Sequence, residues 1–269
     1  MRETIKSLCR SIFGLYPVVY RALCGRHPDL YPWHFLWLAL RDLNRDLRAV
    51  LPTLQGRVLD LGCGHQPYRG LFTRADAYTG CDVTEQPGVD VVITPDGPLP
   101  FPDGSFDAAL STQVFEHVAD LDHTVGELRR ILAPGGRLVV SVPFIFQVHG
   151  APHDYRRLTE YGAVQALPGF EVEEVRRQGA IGSSLAVLLL SWMDTQLGAN
   201  VYSWTVKCLL LPVWIPFCLL VNLAGLGLDL LDSTRCSYHN LLLVARKTEP
   251  SPDDAQRLQP QGNTHAPDL

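Results

Sequence analysis

The sequence lacks several features that would place it in a familiar class. Its seven cysteines include no C-x-x-C pair and show no regular spacing, which argues against a disulfide framework and against a zinc site. It also lacks excess positive charge: the formal net charge is −5, and the basic residues are not gathered in one stripe. We therefore expect reduced thiols in a cytosolic setting, no metal and no nucleic-acid partner.

The two ends of the chain lack the apolar content of the middle. The apolar runs near the N-terminus are too short for a secretory signal, but Ile5, Leu8 and Ile12 recur at helical spacing among basic residues. We expect residues 1–50 to form a helical segment, either on a membrane surface or over a soluble core. Residues 248–269 are rich in proline, glutamine and aspartate and are predicted to be a disordered tail.

Between these ends, short apolar segments alternate with polar helical ones. The predicted strands cover residues 57–61, 77–83, 89–93, 106–111, 136–143, 170–177 and 239–246, and the predicted helices cover 36–50, 66–73, 120–132 and 159–167. This alternation predicts an α/β fold with a doubly wound, mostly parallel sheet. Ligands of such sheets bind at the carboxyl ends of the strands, beside the first strand.

The stretch VLDLGCGHQPY, Val58 to Tyr68, lies at that position. It lacks the third glycine of a dinucleotide loop, because Pro67 stands there, and it carries an acid, Asp60, where a pyrophosphate would be repelled. Gly62 and Gly64 let the backbone approach a ligand closely. A second predicted strand ends in Asp82, which is placed to accept hydrogen bonds from ribose hydroxyls. The two acids fit a cationic amino acid joined to a nucleoside.

Four segments in order resemble the class I S-adenosylmethionine-dependent methyltransferases of the small-molecule type: VLDLGCG, GCDV, LPFPDGSFDAALSTQVFEHV and LRRILAPGGRLVVSVP. The resemblance implies a Rossmann-like seven-stranded sheet whose last strand is antiparallel, with residues 51–247 as the methyltransferase domain and S-adenosyl-L-methionine as the cofactor. By that resemblance the methionine part would contact Asp60, Gly62 and Gly64, the ribose Asp82, the adenine edge Asp96, and the floor of the site Gln113, Val114, Glu116 and His117.

The segment HGAPHDYRRLT, residues 149–159, follows the fifth strand, where acceptors bind in folds of this kind. We interpret it as an acceptor-binding or proton-accepting lid, with His149, His153 and Asp154 as the candidate catalytic residues. Two alternatives are a solvated loop whose Thr159 caps the next helix, and a metal pair of the two histidines. Pro152 between the histidines opposes the helix that such a pair would need.

A long apolar insertion, residues 180–238, precedes the last strand. Residues 208–228 carry no charge, although Pro212 and Pro216 are expected to break the helix. Both flanking strands belong to one sheet, so a single membrane crossing is excluded; a hairpin, an interfacial helix pair, a homodimer interface or a cap over the substrate stay open. Three tryptophans are candidate interface anchors: Trp192, Trp204 and Trp214.

We therefore predict a membrane-associated methyltransferase on the cytoplasmic side of a membrane, acting on a small or lipid-linked acceptor. The alternative prediction is a cytoplasmic, non-catalytic binding or scaffold protein that keeps the same fold.

Overall fold

The computed structural model describes residues 16–197 and 201–249. The first elements are a helix, α1, over residues 16–24 and an antiparallel ribbon of β1 (Gly25–Arg26) and β2 (Asp29–Leu30). The remaining elements are α2 (Trp37–Val50), β3 (Gly56–Leu61), β4 (Ala75–Asp82), β5 (Val91–Val92), β6 (Phe106–Thr112), α3 (Leu121–Ile131), β7 (Leu132–Pro143), α4 (Glu160–Gln165), β8 (Phe170–Gln178), α5 (Ile181–Leu197), α6 (Val201–Asp229) and β9 (Asn240–Lys247). The amphipathic pattern before residue 16 and the tail beyond residue 249 lie outside the described residues.

Seven strands form the main sheet in the order β5-β4-β3-β6-β7-β9-β8. The pairings from β5 to β7 are parallel, whereas β9 runs antiparallel to both β7 and β8. The predicted Rossmann-like sheet with an antiparallel last strand is confirmed. The loops after β3, β4, β6 and β7 therefore gather at one edge, where a doubly wound sheet binds its ligands.

Apolar layers cover both faces of the sheet. On one face α3 packs through Val125, Leu128 and Ile131; on the other, α2 packs through Leu43 and Leu47. Each of these five side chains is at most 1% exposed, so the layers fix the strand ends that carry the site.

One predicted helix is wrong. Residues 66–73 form only a short 3-10 turn, Arg69–Leu71. Pro67 offers no backbone N–H, and Gly70 carries the highest backbone entropy of any residue, so this short polar segment has little to hold a longer helix. The other three predicted helices begin within one residue of α2, α3 and α4.

The predicted apolar insertion is a pair of antiparallel helices, α5 and α6. At one end the Ser183 N–H donates to Asp229 (2.9 Å), and near the other the Lys207 ammonium lies 2.5 Å from the Asp194 carboxylate. A Cβ at Gly182 would clash with the Gly225 carbonyl, so the helices touch through glycine. We call this pair the hairpin.

The predicted break at Pro212 and Pro216 is wrong, because α6 continues through both. A proline inside a helix costs about 3 kcal/mol. Here three residues near the prolines are buried against α1 and α5: Leu211, Trp214 and Cys218. This packing stabilises the helix in spite of the prolines. Trp214 is 4% exposed, which also corrects its assignment as an interface anchor.

The outer side of the hairpin is apolar, and none of the described residues covers it. The bare hairpin face consists of Leu185 and Trp192 on α5 and Leu209, Val213 and Leu220 on α6, all at least 53% exposed. Among the described residues one helix, Val206–Asp229, is long and apolar enough to cross a membrane, a test that some soluble core helices also pass. Only 28% of its most apolar window is buried, so this helix is not covered as a core helix is.

The inner side of the hairpin holds the N-terminal segment. The rings of Tyr16 and Tyr20 on α1 stack at 5.4 Å and belong to the same buried cluster as Leu211. From α6, the Asn222 side-chain amide donates to the carbonyls of Pro32 (2.8 Å) and His34 (3.1 Å). The hairpin thereby positions the chain that precedes α2.

Candidate functional site

The loop after β3 is shaped by two glycines with left-handed backbone. Gly62 has φ 72°, and a Cβ there would clash with the side chain of Val114. Gly64 has φ 51°, and nothing lies within 4 Å of where its Cβ would be. The first glycine lets the loop pass close to the end of β6, and the second presents bare backbone to an open space.

Asp60, at the end of β3, is a buried carboxylate with one tyrosine partner. It is 2% exposed and accepts a hydrogen bond of 2.6 Å from the Tyr78 hydroxyl. Its pKa is raised from 3.8 to about 7, mainly by burial; the Tyr78 hydrogen bond opposes the rise, and the nearby charge of Asp82 adds to it. A cation bound beside Asp60 would favour its ionised form.

A cavity of about 440 Å³ lies beside the end of β4. We call it the Asp82 cavity. Asp82 accepts hydrogen bonds from the backbone N–H groups of Gly64 (3.0 Å) and Thr84 (2.9 Å), and Asp96 lines the same wall. Apolar side chains, Leu61, Ile93, Leu99 and Val118, supply much of the remaining lining. The carboxylates can accept hydrogen bonds from hydroxyl groups, and the apolar lining suits a flat ring. The cavity therefore fits a ligand that has both parts.

A second cavity, of about 860 Å³, lies on the other side of the glycine loop. We call it the Arg21 cavity. Its walls include Asp60 and Gly64 and several residues of the N-terminal segment, Arg21, Arg26, His27, His34 and Leu40. Burial lowers the pKa of His27, and it lowers that of His34 to about 4, so these two imidazoles are neutral at pH 7. The two cavities share a wall at Gly62 and Gln113.

Gln113 at that shared wall has a backbone conformation that favours glycine, with φ 56°. Its side-chain amide donates to the Ser141 hydroxyl (3.0 Å) and to Asn240 (2.9 Å). Asn240 in turn donates to Gln178 (2.6 Å), which donates to Asp46 on α2 (2.8 Å). This buried polar chain fixes the strained residue, and strain of this kind clusters at functional sites.

The predicted catalytic residues are gathered in one loop but do not share one cavity. His153 lines the Asp82 cavity, and its Nδ1 lies 2.9 Å from the Tyr155 hydroxyl. Asp154 accepts from the Arg157 guanidinium (2.7 Å) and from the His149 N–H (2.9 Å). The Arg157 hydrogen bond is the main reason that the pKa of Asp154 falls to about 2, which makes it a weak base.

His149 and Asp154 line neither cavity, and His149 faces Glu116 instead. Thr159 caps α4 by accepting from the Gly162 N–H (3.2 Å), as one of the alternative interpretations held. Arg156, a residue that could bind an anionic acceptor, donates to the carbonyls of Phe115 (2.8 Å) and Ala119 (3.0 Å). The catalytic role of the three residues stays a prediction.

Sequence reasoning missed Tyr78 and the walls of the Arg21 cavity. Asp60 on β3 lies opposite Gly80 on the neighbouring strand β4. Because Gly80 has no side chain, the ring of Tyr78, two residues earlier on the same face of β4, can reach the Asp60 carboxylate. A tyrosine two positions before a glycine was the only available signal. Arg21 and Arg26 belong to no motif, and their position depends on how the N-terminal segment packs.

Residues 59–140 match the protein family described as Methyltransferase domain. A 37.1 kDa protein of transposon TN4556 from Streptomyces fradiae, described as uncharacterized, is 32% identical over 57% of this chain and 49% of its own length. Demethylmenaquinone methyltransferase of Thermus thermophilus is 60% identical over 16% of this chain and 19% of its own. A 27-O-demethylrifamycin SV methyltransferase of Amycolatopsis mediterranei is 31% identical over 38% of this chain and 44% of its own length. The chain thus spans about half or less of the length of these relatives.

Among solved structures, the [4+2]-cyclase SpnF superposes with a TM-score of 0.51 and 21% sequence identity, over 80% of this chain and 83% of that one. At this identity the likeness concerns the fold alone. A fold shared with a protein described as a cyclase does not by itself specify the reaction, so the reaction has to be inferred from the residues of the site.

Proposed function

We propose that the chain, whose residues 59–140 match a methyltransferase domain, is an S-adenosylmethionine-dependent methyltransferase that acts at a membrane on a small or lipid-linked acceptor. One observation carries the proposal. All six residues assigned to the cofactor line two cavities that share a wall at Gly62 and Gln113: Asp60, Gly62, Gly64, Asp82, Asp96 and Gln113.

The nucleoside belongs in the Asp82 cavity. Asp82 would accept hydrogen bonds from the ribose hydroxyls, and Asp96 would face the adenine edge, while Leu61 and Leu99 provide apolar contacts for the ring. The methionine part passes Gly62 into the Arg21 cavity, where its ammonium and sulfonium charges suit the carboxylate of Asp60. This assignment explains why a carboxylate is buried there with only a tyrosine to hold it.

The acceptor belongs in the Arg21 cavity, opposite the nucleoside. S-adenosylmethionine supplies a methyl group that is already activated by positive sulfur. The protein therefore has mainly to hold the acceptor in line and exclude water, a contribution that can reach about 7–11 kcal/mol. Arg21 and Arg26 at the cavity wall suit an anionic or phosphate-bearing acceptor.

A membrane is the proposed partner of the bare hairpin face. Two adjacent helices expose Trp192, Leu209 and Val213, and a continuous apolar surface of this kind is costly in water. The same hairpin holds the segment of His34 that lines the Arg21 cavity, so docking on the cytoplasmic surface of a bilayer would bring that cavity near amphiphilic acceptors. A homodimer through the same face is the competing proposal.

Calorimetric titration with S-adenosylmethionine tests the core of the proposal. We expect one binding site, weakened by Asp82→Asn and unaffected by Asp122→Asn, an exposed acid on α3. Transfer of a labelled methyl group to membrane lipid or glycan extracts then tests turnover. Binding without transfer to any extract would favour the non-catalytic alternative, and absence of binding would remove the proposal.

Flotation with liposomes tests the membrane. The full chain should float with the vesicles, and the triple variant Leu209→Gln, Val213→Gln, Leu220→Gln should not. The matched control replaces Tyr161 and Val164 with glutamine, since both are exposed apolar residues of α4 away from the hairpin. A wild-type chain that stays in solution as a detergent-free dimer would instead support the homodimer.

A further inference from the structure

Glu116, just after β6, carries a buried carboxylate. It is 1% exposed, and neither oxygen accepts a hydrogen bond from another residue in the described part of the chain. Burial raises its pKa to about 7. A buried carboxylate of this kind is costly unless something compensates it. The site proposed above makes no use of Glu116.

Two histidines face this carboxylate with their Nε2 atoms. The Nε2 of His117 and the Nε2 of His149 each lie 3.8 Å from the same oxygen, Oε1 of Glu116. That distance is too long for a hydrogen bond. The two imidazole rings also contact each other edge to face, with centroids 4.7 Å apart.

The opposite ring nitrogens assign the tautomers. Nδ1 of His117 lies 2.6 Å from the His153 carbonyl oxygen, and Nδ1 of His149 lies 3.3 Å from the Gln147 carbonyl oxygen. A carbonyl can only accept, so Nδ1 of His117 carries the proton and its Nε2 presents a free lone pair. At Nδ1 of His149, the Asp154 carboxylate also lies 3.5 Å away, as does the Arg157 guanidinium, which can only donate. The nearer Gln147 carbonyl and the carboxylate both favour a proton on this Nδ1, which leaves Nε2 as the lone-pair donor. Burial also lowers the pKa of His149, which keeps that ring neutral. Such Nδ1–H contacts are the usual outer-shell support of metal-binding histidines.

Three groups that can donate electron pairs therefore converge, and neither imidazole carries a hydrogen on the nitrogen that faces the carboxylate. All three ligand atoms lie within 4.8 Å of one another. An ion bonded to two of them at about 2.0–2.2 Å would leave those atoms no more than about 4.4 Å apart, and the 3.8 Å separations fit this limit. We propose that Glu116, His117 and His149 bind a divalent transition-metal ion.

The identity of the donors selects the class of metal. Two imidazoles and one carboxylate form the set found at zinc sites with an open position and at the facial triads of iron(II). Magnesium and calcium prefer all-oxygen surroundings, so they should bind poorly. The side chains of His117 and His149 are 29% and 34% exposed, which leaves one side of the cluster accessible to water or to an oxygen ligand.

The ion would join two loops. Glu116 and His117 follow β6, whereas His149 follows β7, and the Tyr155 N–H already donates to the Glu116 carbonyl (2.8 Å). Asp154 accepts from the His149 backbone and holds this part of the loop in place. Because His117 and His153 both line the Asp82 cavity, the ion would fix the wall of that cavity. This geometry holds whether or not the protein catalyses the proposed reaction.

The experiment titrates the full-length protein, purified in detergent and treated with chelator, with Zn²⁺, Mn²⁺ and Mg²⁺ by calorimetry. We expect one tight Zn²⁺ site, a weaker Mn²⁺ response and no Mg²⁺ binding. Glu116→Gln and His149→Ala should each weaken Zn²⁺ binding by about 100-fold or more. His123→Ala, an exposed histidine of α3, should bind Zn²⁺ as the wild type does.

Zn²⁺ binding that is equal in the wild type and in Glu116→Gln would overturn the proposal, as would no tight binding at all. The latter result would mean that protonation of Glu116 alone compensates its burial. X-ray absorption of the zinc-loaded wild type decides the matter even if a variant fails to fold. Scattering from two imidazoles and light atoms is expected, and a sulfur shell would assign the zinc to a cysteine and overturn the proposal.

Discussion

Replacing Asp60 with asparagine should stabilise the cofactor-free protein. The folded-state pKa of Asp60 is about 7, against an ordinary value of 3.8, because the side chain is buried. The stability that its proton provides is fully present below the unfolded-state pKa and is lost as the pH rises through about 7. Linkage puts this loss at roughly 2–3 kcal/mol between pH 5 and pH 8. Asparagine does not ionise, so Asp60→Asn should escape the loss.

The same shift predicts how cofactor binding depends on pH. If a cation binds beside ionised Asp60, the wild type must release a proton to bind below pH 7. The affinity of the wild type for S-adenosylmethionine should then fall by about tenfold from pH 8 to pH 6, in addition to any fall that Asp60→Asn shows over the same pH range. At pH 8, Asp60→Asn should bind about 1.5–3 kcal/mol more weakly, the range for hydrogen bonds to a charged group.

Urea unfolding followed by tryptophan fluorescence, in mild detergent at pH 5, 6.5 and 8, measures the stability difference, and calorimetry at pH 6 and 8 measures the affinity. Tyr78→Phe is a useful companion, because it removes the hydrogen bond that opposes the pKa rise and should steepen the pH dependence. Parallel stability curves for the wild type and Asp60→Asn would refute the reasoning about the buried carboxylate. An unchanged affinity in Asp60→Asn would refute its role in cofactor binding.

Three further substitutions test the site. Asp82→Asn should cost about 1.5–3 kcal/mol of S-adenosylmethionine binding by calorimetry, and an unchanged affinity would remove the ribose assignment. Gly62→Ala should lower the melting temperature and abolish S-adenosylmethionine binding, since the added Cβ would meet Val114 and the φ of Gly62 is positive. Gly70→Ala should behave as wild type, because the space around Gly70 is open. Equal behaviour of the two alanine variants would contradict the shape of the loop. His153→Ala removes part of the wall of the Asp82 cavity and should weaken cofactor affinity several-fold, so a change in turnover with the affinity intact would instead support its predicted catalytic role.

The fold could be predicted because local pattern and global topology agree. β3, β6 and β9 are apolar runs buried on both faces of the sheet, and such runs are legible in a sequence. The positions of two candidate acids could be predicted for the same reason: Asp60 and Asp82 stand at strand ends, and the carboxyl ends of parallel strands are adjacent in any such sheet.

What sequence reasoning missed depends on contacts between distant segments. The approach of His149 to Glu116 requires that the loops after β6 and β7 fold toward each other, and spacing along the chain does not encode it. The continuity of α6 through Pro212 depends on burial of its neighbours against α1. In both cases tertiary packing overrides the local signal.

The chain leaves the sheet before the hairpin and re-enters it after the hairpin at nearly the same point. Gln178 and Asn240 are paired across β8 and β9, and the His239 N–H donates to the Gln178 carbonyl (3.1 Å). This point lies at the carboxyl edge of the sheet, since Asn240 pairs with Pro143 at the end of β7. A long insertion between paired ends adds little loop-closure entropy. In evolutionary terms the outer side of the hairpin is a module: its exposed residues can change while every strand keeps its register and Asn222 keeps its contacts with the N-terminal segment, so this surface can vary separately from the walls of the two cavities.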